Sequence, residues 1–150
     1  MGDVSEHLSR REFACPCGCG FDAADIDIIY ELERLATSFG NRNNDAKRVI
    51  IHINSANRCA EYDRALKIKL AIKAGRKFVP KKQISQHING MAVDFWMQYE
   101  FSNGVRKKIE DDLIADELEM IHVARHGIGR YKGRTHYDVR RNGPARWDNR

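Results

Sequence analysis

The chain has 150 residues, of which 42% are hydrophobic and 31% charged, and its net charge is +5. That length is enough for one domain with a real core. No run approaches the ~20 apolar residues needed to span a bilayer, and Met1 to His7 lacks the apolar centre of a signal peptide. The expectation is one domain over 1–150, a monomer without membrane insertion that stays in the cytoplasm unless something else carries it out. The positive charge is uneven: from His122 to Arg150 there are eight Lys or Arg and two Asp. Such a stretch suits nucleic acid, an anionic membrane, an acidic polymer such as a cell wall, or an ordinary solvated surface.

In chain order, residues 4–22 read as an ordered arm anchored by Leu8, Phe13 and Phe21, with Pro16 and its glycines opposing regular structure. The arm contains Cys15, Cys17 and Cys19; Cys59 stands apart. The C-x-C-x-C spacing lacks the usual C-x2-C knuckle, so free thiols are expected ahead of a disulfide to Cys59 or a structural zinc site. Acids at Asp22 and Asp25 open a helix carrying Ile28, Ile29, Leu32, Leu35 and Phe39 at helical spacing, stopped at Gly40. Residues 48–54 form a β-branched strand leading into the polar turn Ser55-Ala56-Asn57-Arg58. A basic helical segment spans 60–75, and Lys81 and Lys82 extend its charge. A second strand covers 90–97, and Val105 to Ile121 reads as a helix. Strands then follow at Gly127–Tyr131 and Thr135–Arg140, leaving a polar, basic end with Trp147 as an anchor. The pattern is α+β: a small antiparallel sheet flanked by helices.

Three side chains in this order suggest chemistry. His87 lies on a loop, and Asp94 lies within the apolar run after Gly90, where a carboxylate is costly unless paired or bound to a cation. His136 and Asp138 are two apart on one strand, so they share a face. With His87 and Asp94, His136 completes a His/Asp/His set, and three protein ligands with an open fourth position suit a catalytic zinc site.

Ser85-x-His87-x-x-Gly90-x-Ala92-x-Asp94 resembles the metal motif of the zinc D-alanyl-D-alanine peptidases, peptidase family M-15, which share a fold with the hedgehog signalling domain. Gly127-Ile128-Gly129-x-Tyr131 followed by Thr135-His136-x-Asp138-Val139-Arg140 is similar to the end of that pattern in its small, phage-rich branch. Ser55-Ala56-Asn57-Arg58 resembles the branch's Ser-Gly-x-Arg turn, and Leu8 to Gly20 the start of some members, so the likeness runs from about residue 8 to 147. The resemblance implies a hedgehog/DD-peptidase-like fold and zinc held by His87, Asp94 and His136. It implies a carboxypeptidase or endolysin-type endopeptidase acting on peptidoglycan stem peptides, with Arg58 binding a substrate carboxylate or the carbonyl to be attacked, and Ser85 orienting substrate. A phage enzyme of this kind would be released from the cytoplasm to the wall by a holin.

Three departures from the pattern stand out. Ala56 replaces a Gly, a basic insert separates Arg58 from Ser85, and Gly133 occupies the position of the acid found three residues before the last ligand in better-known relatives. Hydrolysis needs a proton acceptor. Asp138, His122 and His126 are the candidates, with Asp138 and His126 ranked level; Asp138 could instead orient a ligand. Two alternatives stand beside the enzyme: a non-catalytic, zinc-containing module that binds wall peptide, and a basic nucleic-acid binder. Few interleaved aromatics and no nucleic-acid motif weigh against the last.

Overall fold

Alternation along residues 92–101 sets the two faces of the sheet. Val93, Phe95 and Met97 are fully buried on one face, while Asp94, Trp96, Gln98 and Glu100 point to the other. The computed structural model describes residues 2–80 and 84–150, so Lys81 and Lys82 of the basic segment lie outside the described residues. Its six strands are β1 (Ala46–Ser55), β2 (Ala92–Phe101), β3 (Arg106–Lys108), β4 (Gly127–Tyr131), β5 (Arg134–Asp138) and β6 (Ala145–Asn149). They form one sheet in the order β1-β2-β5-β4-β6, with β3 paired to β2. Among the described residues there are three α-helices, α1 (Ile26–Arg42), α2 (Ala60–Lys73) and α3 (Asp111–Ile121), and a 3-10 turn at Arg10–Phe13.

The class is α+β, as expected, but the sheet is mixed rather than antiparallel. β6 runs parallel to β4, pairing Gly127 with Ala145 and Tyr131 with Asn149. Its residues, Ala-Arg-Trp-Asp-Asn, carry no apolar alternation, because an edge strand with one wet face needs little of it. The predicted helix from Val105 is also corrected: Arg106–Lys108 pairs with Gln98–Glu100, and the helix starts at Asp111. Asn103-Gly104 makes the hairpin turn, with Gly104 at φ 81°. α1 runs through Gly40 to Arg42 instead of stopping there.

The core lies between the apolar sheet face and two helices. Ile28, Leu32, Leu35 and Phe39 of α1 and Ile114 and Leu118 of α3 meet Val49, Ile51, Val93, Phe95, Met97, Ile128 and Tyr137. Leu8 and Phe13 of the N-terminal arm join them. α2 behaves differently: only Asp63 is buried, and Leu70 and Ile72 stay exposed. The basic segment is helical as expected, but its apolar residues do not gather on one face. Among the described residues, no helix is long and apolar enough to cross a membrane.

One buried carboxylate ties α3 to α1. Glu117 accepts from Arg34 (3.0 Å), Ser38 (3.1 Å) and Arg42. Burial alone would raise its pKa, but the hydrogen bonds from Arg42 and Arg34 outweigh burial and hold the carboxyl below its ordinary 4.5. Because the folded value is depressed, this stabilisation is fully present above the unfolded value and fades as pH falls through the folded one. Glu117→Gln is therefore expected to lose about 1–3 kcal/mol at pH 7 in urea unfolding, with the difference from the parent shrinking once the pH drops below about 4.

Candidate metal centre

The candidate ligands meet through strand register. β2 and β5 pair Asp94 directly with His136, and Ala92 with Asp138. Both residues therefore lie on the face opposite the helices, where side chains of paired residues approach each other. β1 ends on the same spot, with Ser55 opposite Asp94, so the turn 55–58 starts beside the cluster. His87 comes from the turn that follows Ser85, whose carbonyl accepts from Ile88 N (3.0 Å). Gly90, at φ 70°, closes that turn and packs beside Asn57.

One ligand atom from each of His87, Asp94 and His136 lies within 4.8 Å of the other two, and all three residues are buried. His87 directs Nδ1–H to the carbonyl of Ala56 (2.5 Å), which leaves Nε2 facing Asp94 Oδ2 at 3.5 Å. His136 places Nδ1 2.8 Å from Asp94 Oδ1 and Nε2 3.0 Å from Asp138 Oδ2. With Nε2–H donated to Asp138, Nδ1 either carries a second proton to Asp94 or turns its lone pair to a metal ion. The donor set, two imidazole nitrogens and one carboxylate, is that of a divalent transition-metal site. The cluster can hold a metal ion.

Charge in the cluster is balanced by close partners. Burial would raise the Asp94 pKa, but His136 and His87 outweigh it and hold the carboxyl well below the usual range. Burial would lower the His136 pKa, but hydrogen bonds to Asp138 and Asp94 raise it above the ordinary 6.5. Arg58 reaches in from the turn, with Nη2 3.1 Å from Asp94 Oδ2 and Nε donating to Ser55 Oγ at 2.9 Å. Asp63 holds the far side of its guanidinium at 3.4 Å. A planar fork so fixed presents donors at the edge of the cluster.

The remaining candidates fall in different places. Asp138 is fully buried and saturated: Oδ1 accepts from Arg140 N (3.2 Å) and Nε (2.7 Å), and Oδ2 from Arg140 Nη2 (2.6 Å) beside His136 Nε2. Burial would raise its pKa; Arg140 and His136 hold it well below the usual range. This is the geometry of a carboxylate that orients a ligand. His126 is not brought to the cluster. Its Nδ1 lies 2.8 Å from the hydroxyl of Tyr137, which points to the helix side of the sheet, the opposite face from His136. There it lines a cleft of about 320 Å³ with Glu31, His122 and Tyr137. Its backbone sits at φ 64°, and its carbonyl accepts from Ala145 N (3.0 Å) and Arg146 Nη1 (2.7 Å), so it turns the chain into β4. His122 is on that same side, 3.1 Å from Glu31. Ser85 is partly buried at the start of the His87 turn.

Two further residues shape the site. The Trp147 ring lies against His136, centroids 5.0 Å apart, and its Nε1 donates to the Tyr131 hydroxyl (2.9 Å). A Cβ on Gly129 would overlap the Trp147 indole, and one on Gly127 would overlap the Asp138 carboxylate. The Gly-Ile-Gly of β4 thus makes room on the ligand face, a role that its spacing before a His-x-Asp strand hints at. Comparison with family models, with curated proteins and with solved structures finds no match to the chain.

Two outcomes follow from this geometry. Gly129→Ala should destabilise the protein by about 1–3 kcal/mol, lowering Tm by roughly 2–12 °C in a thermal melt. Zinc titrated into metal-free protein should bind more tightly as pH rises from about 5 to 7, because the ion must displace the proton that the two carboxylates hold on His136. An affinity that is flat across that range would remove His136 from the ligand set.

Proposed function

We propose that the chain is a zinc metallopeptidase of the M-15 type that hydrolyses a peptide bond in the stem peptides of bacterial peptidoglycan. The observation that carries this is the convergence of His87, Asp94 and His136, drawn from a loop and two strands, on one buried spot with Arg58 beside it. His87 and His136 each have one ring nitrogen tied to a protein acceptor and the other turned toward the cluster. Zinc bound there supplies Lewis acidity, acidifying water and polarising a carbonyl. A hedgehog/DD-peptidase-like arrangement of the α+β fold is part of the same proposal.

The chain's own groups have distinct tasks. Arg140 and Asp138 hold His136 in one tautomer and orientation. Arg58 offers a guanidinium to a substrate carboxylate or carbonyl, while Ser55 and Asp63 keep it aimed. Arg134, 3.9 Å from Asp94, adds positive charge at the same rim. Stem peptides are rich in carboxylates, which suits this rim. Released by a holin from a phage-infected cell, such a protein would meet its substrate at the wall.

One observation favours a second function, a zinc-containing module that binds wall peptide without cutting it. Asp138 has its oxygens occupied, and His126 stands on the other face of the sheet, so neither offers a free base at the cluster. Digestion of purified peptidoglycan followed by mass spectrometry separates the two. New peptide termini that vanish in Asp94→Ala and His136→Ala would identify the enzyme and its bond. Zinc retained and muropeptide bound, with every peptide intact, would identify the module. A protein that holds no zinc and ignores muropeptides would dismiss both. Arg58→Lys should leave zinc content unchanged and weaken cleavage or binding about 10–100-fold, the loss of one charge-assisted fork.

A further inference from the structure

The four cysteines lie together at the joint between the N-terminal arm and α2. One sulfur from each of Cys15, Cys17, Cys19 and Cys59 lies within 4.8 Å of all the others. Cys15 Sγ is 3.3 Å from Cys17 Sγ, which is 3.6 Å from Cys59 Sγ. These separations are well beyond the roughly 2.05 Å of a disulfide. A tetrahedral ion with Zn–S bonds of about 2.3 Å sets its sulfurs about 3.8 Å apart, close to what is seen.

We infer that Cys15, Cys17, Cys19 and Cys59 form a second metal centre, a tetrathiolate site for a structural zinc ion that staples the N-terminal arm to the start of α2. It is separate from the His/Asp/His cluster and does not depend on what that cluster does.

The local backbone is arranged for charged sulfur. Cys59 occupies the N-cap of α2, a position that favours Ser, Thr, Asp or Asn, and its Sγ accepts from Tyr62 N at 3.4 Å. Cys15 Sγ accepts from Cys59 N at 3.3 Å. N–H donors aimed at sulfur, and the positive end of α2, offset the negative charge that four thiolates leave around a divalent ion. The loop between the first three sulfurs doubles back tightly. Gly18 N bonds to Cys15 O (3.1 Å), Cys15 N bonds to Phe21 O (2.7 Å), and Gly18 and Gly20 take φ 77° and 81°. The two glycines let a C-x-C-x-C run wrap one point, which the spacing alone did not suggest. A divalent cation at this point would take all four sulfurs as thiolates.

The Asp94→Ala variant isolates this site, because it lacks a ligand of the other cluster. Purified without chelator, it should carry one zinc per chain, released when a mercurial titrates the thiols. Regrown with cobalt, it should show a thiolate-to-cobalt charge-transfer band and the d–d bands of tetrahedral sulfur coordination. Cys19→Ser, at an exposed position, should weaken that band and move the d–d bands away from those of four-sulfur coordination, while its circular dichroism keeps the parent's strands and helices. Four thiols reacting freely in the native, zinc-replete variant, a disulfide found by alkylation and mass spectrometry, or iron in place of zinc would each overturn the assignment.

Discussion

His136 is held at both ring nitrogens, and the geometry of the candidate centre depends on that restraint. Asp94 meets it across the β2–β5 ladder and Asp138 meets it along its own strand. A shift of one residue in that pairing would turn Asp94 to the helix side and put Val93 or Phe95 in its place. The apolar alternation of β2 therefore does two jobs at once. Burial of Val93, Phe95 and Met97 against α1 and α3 fixes which way Asp94 faces. The core chooses the register, and the register brings the candidate ligands together.

Much of this was legible in the sequence because it rests on short-range periodicity. Strand parity put His136 and Asp138 on one face, and the acid inside Met-Ala-Val-Asp-Phe-Trp demanded a partner. What was not legible depends on pairing between distant segments. β6 lacks an apolar pattern, since its stability comes from the ladder with β4 and from Trp147. β3 was absorbed into the helix that follows it, although Asn103-Gly104 carried the hairpin signal. His126 stood close in sequence to the ligand strands, yet the turn at φ 64° sends it to the opposite face. No periodicity reports that. The cysteine cluster was hidden for a similar reason: Cys59 lies 42 residues from Cys17, and only the folded chain sets them side by side.

The turn at 55–59 is where these parts are joined. Its backbone bonds to the arm through Asn57 N and Phe13 O (3.2 Å) and to the His87 loop through Arg58 N and His87 O (3.1 Å). Ala56 supplies the acceptor that sets the His87 tautomer, Arg58 reaches Asp94, and Cys59 belongs to the sulfur cluster. Five consecutive residues thus touch two prospective cation sites and the arm between them. Ala56 is itself buried against the core, so the turn has little room to shift without disturbing one of its partners.

Trp147 covers His136 from a strand that lies at the far end of the sheet order and late in the chain. β6 contributes no residue to the apolar core, so its ladder to β4 can open without exposing that core. Fraying of this edge would uncover His136 first, which makes the dryness of that side chain a property of the edge strand rather than of the core.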